Sequence, residues 1–150
     1  MRAIIQKSGK ASVEVEGEIT GKINNGLVIL LGVTHADTEE DINYLVEKIT
    51  NLRLFDEEGK YFEKSILDTT KELLVISQFT LYASTRKGRR PDFNEAAKGE
   101  IAEPIYEKFC EKLREKGLKV ETGKFGAMMN VNLVNQGPVT IILDSQDKNG

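Results

Sequence analysis

Seven consecutive residues, Leu27-Val28-Ile29-Leu30-Leu31-Gly32-Val33, offer no polar side chain to water. Side chains of a strand alternate between its two faces, so such a run suits a strand covered on both. Leu73-Leu74-Val75-Ile76 has the same character. The remaining elements must therefore supply cover for two sides of a central sheet. Around these runs the pattern alternates instead. Residues 2–7, 12–16 and 18–23 read as strands with one apolar face, with Ala3, Ile5, Val13 and Val15 turned inward. Asn24-Asn25-Gly26 is a strong turn signal between the third strand and the apolar run.

Two segments carry a helical period instead. Thr38-Glu39-Glu40-Asp41 resembles a capping box, with its acids at the positive end of the helix dipole. Ile42, Leu45, Val46, Ile49 and Leu52 then form one apolar stripe. A longer helix is expected over 101–116, where Ile101, Ile105, Phe109 and Leu113 recur every fourth position and Gly117 provides the stop. Cys110 lies on that stripe and reads as a small core residue rather than a nucleophile. Between the helices, 61–72 reads as loop with Ile66 and Leu67 tucked in. Asp92 or Asn94 is expected to cap a short helix ending near Lys98-Gly99. A short strand over 118–121 and two final strands, 129–134 and 139–143, complete the chain, with the residues from Asp144 onward frayed. The expected fold class is α/β: one domain over residues 1–150, three-layer β/β/α, with mixed sheets and two main helices.

Composition narrows the function. The 150 residues, 39% apolar and with 3 prolines, suit one folded domain and not a disordered chain. No apolar run approaches a membrane span, and charge appears too early for a signal peptide, so a cytoplasmic protein is expected. Net charge is −3, so contact with nucleic acid would have to come from a local patch. Thr85-Arg86-Lys87-Gly88-Arg89-Arg90-Pro91 is one, and reads equally as a solvated basic loop or a phosphate-binding one. A single Cys and a single His exclude an internal disulfide and any multi-thiolate or polyhistidine metal site. His35, between a strand and a helix cap, reads as structural in preference to a catalytic base. Ser77 and Thr80 are possible nucleophiles at the end of a buried strand, but no base accompanies them. Catalysis by such a chain would lean on positioning and backbone donors. Gly137-Pro138, between two strand-like segments, is either a tight turn or a rigid backbone tooth that contacts a ligand.

Ser77-Gln78-Phe79-Thr80-Leu81 and Asn135-Gln136-Gly137-Pro138-Val139-Thr140 together resemble the two signature motifs of the D-aminoacyl-tRNA deacylases. The likeness extends to Met1-Arg2-Ala3, Gly32-Val33-Thr34-His35, Asn51-Leu52-Arg53, the basic loop, Glu121-Thr122-Gly123 and Phe125-Gly126-Ala127-Met128-Met129. The resemblance implies a homodimer that hydrolyses the ester of D-aminoacyl-tRNA, and also removes glycine mischarged on alanine tRNA, with no cofactor or metal. It implies a cis Gly137–Pro138 bond reaching into the partner subunit's site, so that the active site lies at the interface. There the carbonyls of Gly137 and Pro138 would hold the substrate's amino group and exclude an L side chain. Ser77, Gln78, Phe79 and Thr80 would form the catalytic segment, with backbone N–H groups of Phe79 and Thr80 as oxyanion donors and water as nucleophile, helped by the ribose 2′-hydroxyl. Met129 and Asn135 would join Gly137 and Pro138 in binding substrate. Arg86, Lys87, Arg89 and Arg90 become candidates for contact with tRNA phosphates. A nucleic-acid-binding module without hydrolysis and a small-molecule esterase are the rival readings.

Overall fold

The computed structural model describes residues 1–148. Its strands are β1 (Arg2–Ser8), β2 (Ala11–Val15), β3 (Glu18–Ile23), β4 (Gly26–Gly32), β5 (Phe55–Glu57), β6 (Lys60–Lys64), β7 (Glu72–Ser77), β8 (Val120–Thr122), β9 (Asn130–Asn132) and β10 (Asn135–Asp144). Its α-helices are α1 (Glu39–Asn51) and α2 (Gly99–Glu115). A five-stranded sheet runs β10-β1-β4-β7-β8, a three-stranded sheet β3-β2-β9, and β5 pairs with β6. β1 is antiparallel to both neighbours, whereas β4, β7 and β8 are parallel, so the large sheet is mixed.

The long apolar run, Leu27 to Val33, forms β4 and is covered on both faces. Leu27, Ile29 and Leu31 join Leu73 and Val75 under the two helices, against Ile42, Leu45, Ile49, Phe109 and Leu113. Val28 joins Leu74 and Ile76 on the other face, against Ala11, Val13, Val15 and Ile23 of the small sheet. That is the expected β/β/α layering. Cys110 is buried in the helix-side core, and desolvation pushes its thiol up to about 11, in keeping with a packing role.

Four expectations need correcting. Residues 61–72 are not mainly loop: β5 and β6 form a hairpin, followed by a 3₁₀ turn at Ile66–Asp68. Its tip uses positive φ at both Glu58 (48°) and Gly59 (80°), the turn geometry that suits hairpin twist. Glu-Gly carries that signal less openly than Asn-Gly. No short helix follows Asp92. The Asp92 carboxylate accepts the Asn94 N–H at 2.7 Å, and the Ala97 N–H donates to the Val33 carbonyl at 2.9 Å, so the segment is held as a turn against β4. The final strands are not divided at Gly137-Pro138. β9 pairs with β2 in the small sheet and β10 with β1 in the large one, so the chain changes sheets at Leu133-Val134. Gly137 and Pro138 lie within β10, an edge strand, where proline's missing donor is tolerated. Finally, Ser145 is not frayed: it is fully buried, and its N–H donates to the Met1 carbonyl at 2.8 Å. Asn149 and Gly150 lie outside the described residues.

Candidate active site

β7 ends at Ser77, where the buried strand runs out and the chain turns back. The Gln78 N–H donates to the Leu31 carbonyl at 2.8 Å, the last rung against β4. Gln78 then leaves the strand (φ −139°, ψ 79°), and Phe79–Tyr82 make one 3₁₀ turn. Glycine at residue 32 gives the turn room to sit this close to β4. A Cβ there would lie 3.0 Å from Leu81 Cβ and 3.2 Å from the Gln78 carbonyl oxygen. Phe79 and Thr80 occupy the first positions of the turn, whose N–H groups have no acceptor within it.

Ser77, Gln78 and Phe79 form one wall of a cleft of about 500 Å³. Phe125, Gly126, Ala127, Met128 and Met129 also line it, as do Ala97, Gly99 and Ala102 around the start of α2. The lining is mostly apolar, with few side-chain functional groups. Met129 is half-buried, at once a cleft wall and part of the inter-sheet core. Phe79 is 54% exposed and meets Phe93 edge to face at 5.0 Å. A shallower hollow of about 650 Å³ runs along α1, lined by residues such as Tyr44, Lys48 and Leu52, and brings no comparable set of convergent groups together.

The Thr80 hydroxyl is paired with the Gln78 side-chain amide, and no carboxylate, imidazole or amine touches it among the described residues. His35 is turned elsewhere: its Nε2 donates to the Asn94 carbonyl at 2.8 Å. No group of three or more His, Cys, Asp or Glu suited to a metal occurs among the described residues. The arrangement offers backbone donors and shape, with no side-chain relay.

The basic segment is tied to this region. Mutual backbone hydrogen bonds of 2.7 and 2.8 Å between Ser84 and Asp92 pinch off residues 85–91 as a loop. Arg86, Lys87, Arg89 and Arg90 are all exposed on it, and none forms an ion pair within the described residues. The loop begins three residues after Tyr82 and returns to Phe93, which meets Phe79 of the cleft lining, so its base is anchored near the cleft.

The second motif is not in this cleft. Gly137 and Pro138 are exposed, joined by a cis bond, with Gly137 at φ 127°. A Cβ at residue 137 would lie 2.7 Å from Val139 Cγ2, so the corner demands glycine twice over. The Asn135 side chain is spent on the corner itself: its Oδ1 accepts the Val139 N–H at 2.8 Å and its Nδ2 donates to Thr140 Oγ1 at 3.0 Å. Register puts Ser77 level with Leu31, Ala3 and Leu143 across the sheet, whereas Asn135 is level with Ser8, Gly26 and Glu72. The motifs therefore sit at opposite ends of the strands and three strands apart, roughly 20 Å by strand spacing and rise.

Several residues of this region carry no signal in the sequence. Ala97, Gly99 and Ala102 line the cleft from before and within the start of α2, Phe93 packs on the Phe79 ring, and nothing in local periodicity marks any of them. Arg2 falls within the Met1-Arg2-Ala3 likeness, but nothing in the sequence gives it a role. Its Nε donates to Asp144 Oδ2 at 2.7 Å and its Nη1 to the Leu81 carbonyl at 3.1 Å. Its guanidinium lies 4.5 Å from the centre of the Tyr82 ring.

The family model described as D-Tyr-tRNA(Tyr) deacylase matches residues 4–144. A D-aminoacyl-tRNA deacylase of Bacillus cereus (strain G9842) is 56% identical over 146 residues, covering 97% of this chain and all of that one. One from Aquifex aeolicus (strain VF5) is 57% identical over 147 residues, covering 98% and 99%. A solved structure described as c-Myc DNA Unwinding Element Binding Protein superposes with a TM-score of 0.89 at 44% identity, covering 96% of this chain and 98% of that one. A probable eukaryotic D-amino acid tRNA deacylase shares the fold, with a TM-score of 0.83 at 16% identity over 95% and 97% of the two chains. With the family model spanning nearly the whole sequence and relatives more than half identical over their full length, the chain belongs to the D-Tyr-tRNA(Tyr) deacylase family.

Proposed function

We propose that the protein hydrolyses the ester bond of D-aminoacyl-tRNA and acts as a homodimer whose sites are shared between subunits. The carrying observation is the separation of the two motifs to opposite ends of the large sheet. Within one chain they cannot meet. A two-fold partner laid against the edge strand β10 would bring the Gly137-Pro138 corner of one subunit to the Ser77–Thr80 turn of the other. That edge strand leaves Ile142 72% exposed towards one end, and Val134, just before its start at the other, is 59% exposed.

In this reading the ester carbonyl lies against the Phe79–Tyr82 turn. The N–H groups of Phe79 and Thr80 stabilise its oxygen as negative charge develops. Water attacks the carbonyl carbon, assisted by the adjacent 2′-hydroxyl of the terminal ribose, and the 3′-oxygen leaves with a proton. The Thr80 hydroxyl, lacking a base, stays outside the covalent chemistry. The corner from the partner faces the α-carbon, where its backbone oxygens hold the amino group and its bulk meets an L side chain. Glycine carries no side chain to collide, so glycine mischarged on alanine tRNA is a second substrate. The acceptor-stem phosphates approach the loop bearing Arg86, Lys87, Arg89 and Arg90.

Hydrolysis of matched D- and L-tyrosyl-tRNA tests the reading. Release of D-tyrosine with L-tyrosyl-tRNA left intact is the expected result; a folded protein that leaves both esters intact overturns it. The rival reading as a nucleic-acid-binding module draws on the exposed basic loop. It predicts salt-sensitive binding of uncharged nucleic acid with no ester cleavage.

A further inference from the structure

We infer that Arg2 is a positioning residue for this deacylation, holding the turn that presents the Phe79 and Thr80 N–H groups. The inference rests on the function proposed above for that turn. A single 3₁₀ turn is a weak element: its hydrogen bonds are poorly aligned and it has few of them. Here the Leu81 N–H donates to the Gln78 carbonyl at 3.2 Å and the Ala83 N–H to the Thr80 carbonyl at 3.0 Å. Oxyanion donors act by being fixed before the charge appears, so something outside the turn must fix them.

Three contacts do so. At the entry, the Gln78 N–H is bonded to Leu31. Along its underside the turn packs on Gly32. At the exit the Leu81 carbonyl, one of the turn's last carbonyls, accepts from Arg2 Nη1 at 3.1 Å. The same guanidinium covers the Tyr82 ring at 4.5 Å, and Tyr82 itself is buried. Arg2 does not float: its Nε is bonded to Asp144 Oδ2 at 2.7 Å, and the Gln146 N–H donates to Asp144 Oδ1 at 3.0 Å. One fork thus joins the start of β1, the end of β10 and the exit of the turn.

An isolated surface ion pair would contribute little. This one differs in its geometry. Arginine's planar fork serves two acceptors and an aromatic face at once, and lysine's point charge cannot. The Arg2–Asp144 pair also perturbs both partners in the direction of a held contact. The Asp144 hydrogen bond raises Arg2, against opposing burial. Burial pushes the Asp144 carboxyl up, but the Arg2 guanidinium and the Gln146 N–H outweigh it and leave it below its ordinary range.

The test compares Arg2→Lys, Arg2→Ala and Asp144→Asn with the wild type, reading kcat and KM on D-tyrosyl-tRNA together with site-resolved amide exchange. Arg2→Lys keeps the charge but not the fork. It is expected to lower kcat about tenfold with KM within about twofold, as small misplacements of a reacting group do. Asp144→Asn, which frees the fork, should behave similarly. Arg2→Ala should fall further and be partly restored by millimolar methylguanidinium but not by ethylammonium. Exchange should quicken at Phe79–Ala83 and stay unchanged in β4 and β7. The inference is overturned if kcat stays within about twofold in all three variants, or if every loss matches a loss of folded protein with exchange quickened throughout. If the wild type releases no D-tyrosine, the functional reading fails, and the exchange pattern alone decides whether Arg2 holds the turn.

Discussion

Because the two motifs are roughly 20 Å apart in one chain by strand geometry, damage to each should be complementable in trans. Phe79→Pro removes one N–H from the turn. Proline is suited to the first position of a helical turn, and Gln78 already has the non-helical backbone that precedes a proline. Loss of one oxyanion donor costs about 10²–10³ in kcat; Phe79→Leu controls for the lost ring. Gly137→Val damages the other motif. A Cβ at φ 127° would sit 2.7 Å from Val139 Cγ2 and 3.0 Å from the Val139 nitrogen, so the corner must shift. A non-glycine residue forced into such a conformation costs about 1–3 kcal/mol, and displacing the corner lowers kcat/KM for D-tyrosyl-tRNA by at least about tenfold. Co-expressed with different affinity tags, the two chains pair at random, and half the dimers are mixed. Each mixed dimer has one site with both motifs intact and one with neither. The unfractionated mixture should reach about a quarter of wild-type activity, and the purified mixed dimer about a half, by symmetry alone. A mixed dimer no more active than the mean of its parents would refute the shared site.

Thr80→Ala should keep kcat within about threefold, since its hydroxyl has only the Gln78 amide as partner; abolished activity in a folded variant, or an acyl adduct on Thr80 seen by mass spectrometry, would reverse the assignment of the nucleophile. Replacing Arg86, Lys87, Arg89 and Arg90 with Gln should raise KM and flatten its dependence on salt, by a log–log slope of about 0.7–0.9 for each phosphate that is no longer neutralised, with kcat nearly unchanged. Phe109→Ala empties the centre of the helix-side core and should cost about 3–5 kcal/mol in urea unfolding. Asp144, held below its ordinary range, binds its proton less readily folded than unfolded. Its contribution is present above about pH 4 and is lost as the pH falls through the lower folded value. Asp144→Asn should therefore flatten the acid side of the stability curve, read as urea midpoints at stepped pH.

What is legible in the sequence follows from the range of the interactions involved. β4 and β7 announce themselves because a strand covered on both faces can carry no polar side chain, and α1 and α2 because one face of each is buried. The β5–β6 hairpin is hidden: its exposed residues, including Tyr61 at 76% and Phe62 at 53%, give no buried alternation to detect. The turn after Asp92 reads as a helix because an Asp can cap a helix or close a turn with the same oxygen, and the deciding partner, Val33, is distant in sequence. The motif residues are legible as motifs, but their separation is not. Register across four strands sets it, and no local pattern encodes that. Arg2 is the extreme case, since its partners Leu81 and Asp144 lie 79 and 142 positions away.

The spareness of the cleft bears on what it can discriminate. Its lining is mostly apolar, mixing Phe79, Phe125, Met128 and Met129 with Ala97, Gly99, Ala102, Gly126 and Ala127. Such a surface tells one side chain from another by about 1–3 kcal/mol at most. An enzyme that must accept any D-residue and refuse every L-residue gains nothing from a shaped side-chain pocket. It needs a barrier at the α-carbon, where all amino acids are alike except in handedness. Backbone is the suitable material, because it does not change rotamer and presents the same atoms whatever the substrate. If the corner is that barrier, the Asn135 side chain, closed on Val139 and Thr140, would stiffen it rather than touch the substrate. On this view Asn135→Ala should weaken discrimination more than it weakens turnover. The ratio of D- to L-tyrosyl-tRNA cleavage decides the point, because a direct substrate contact by Asn135 would instead appear as a raised KM with the ratio preserved.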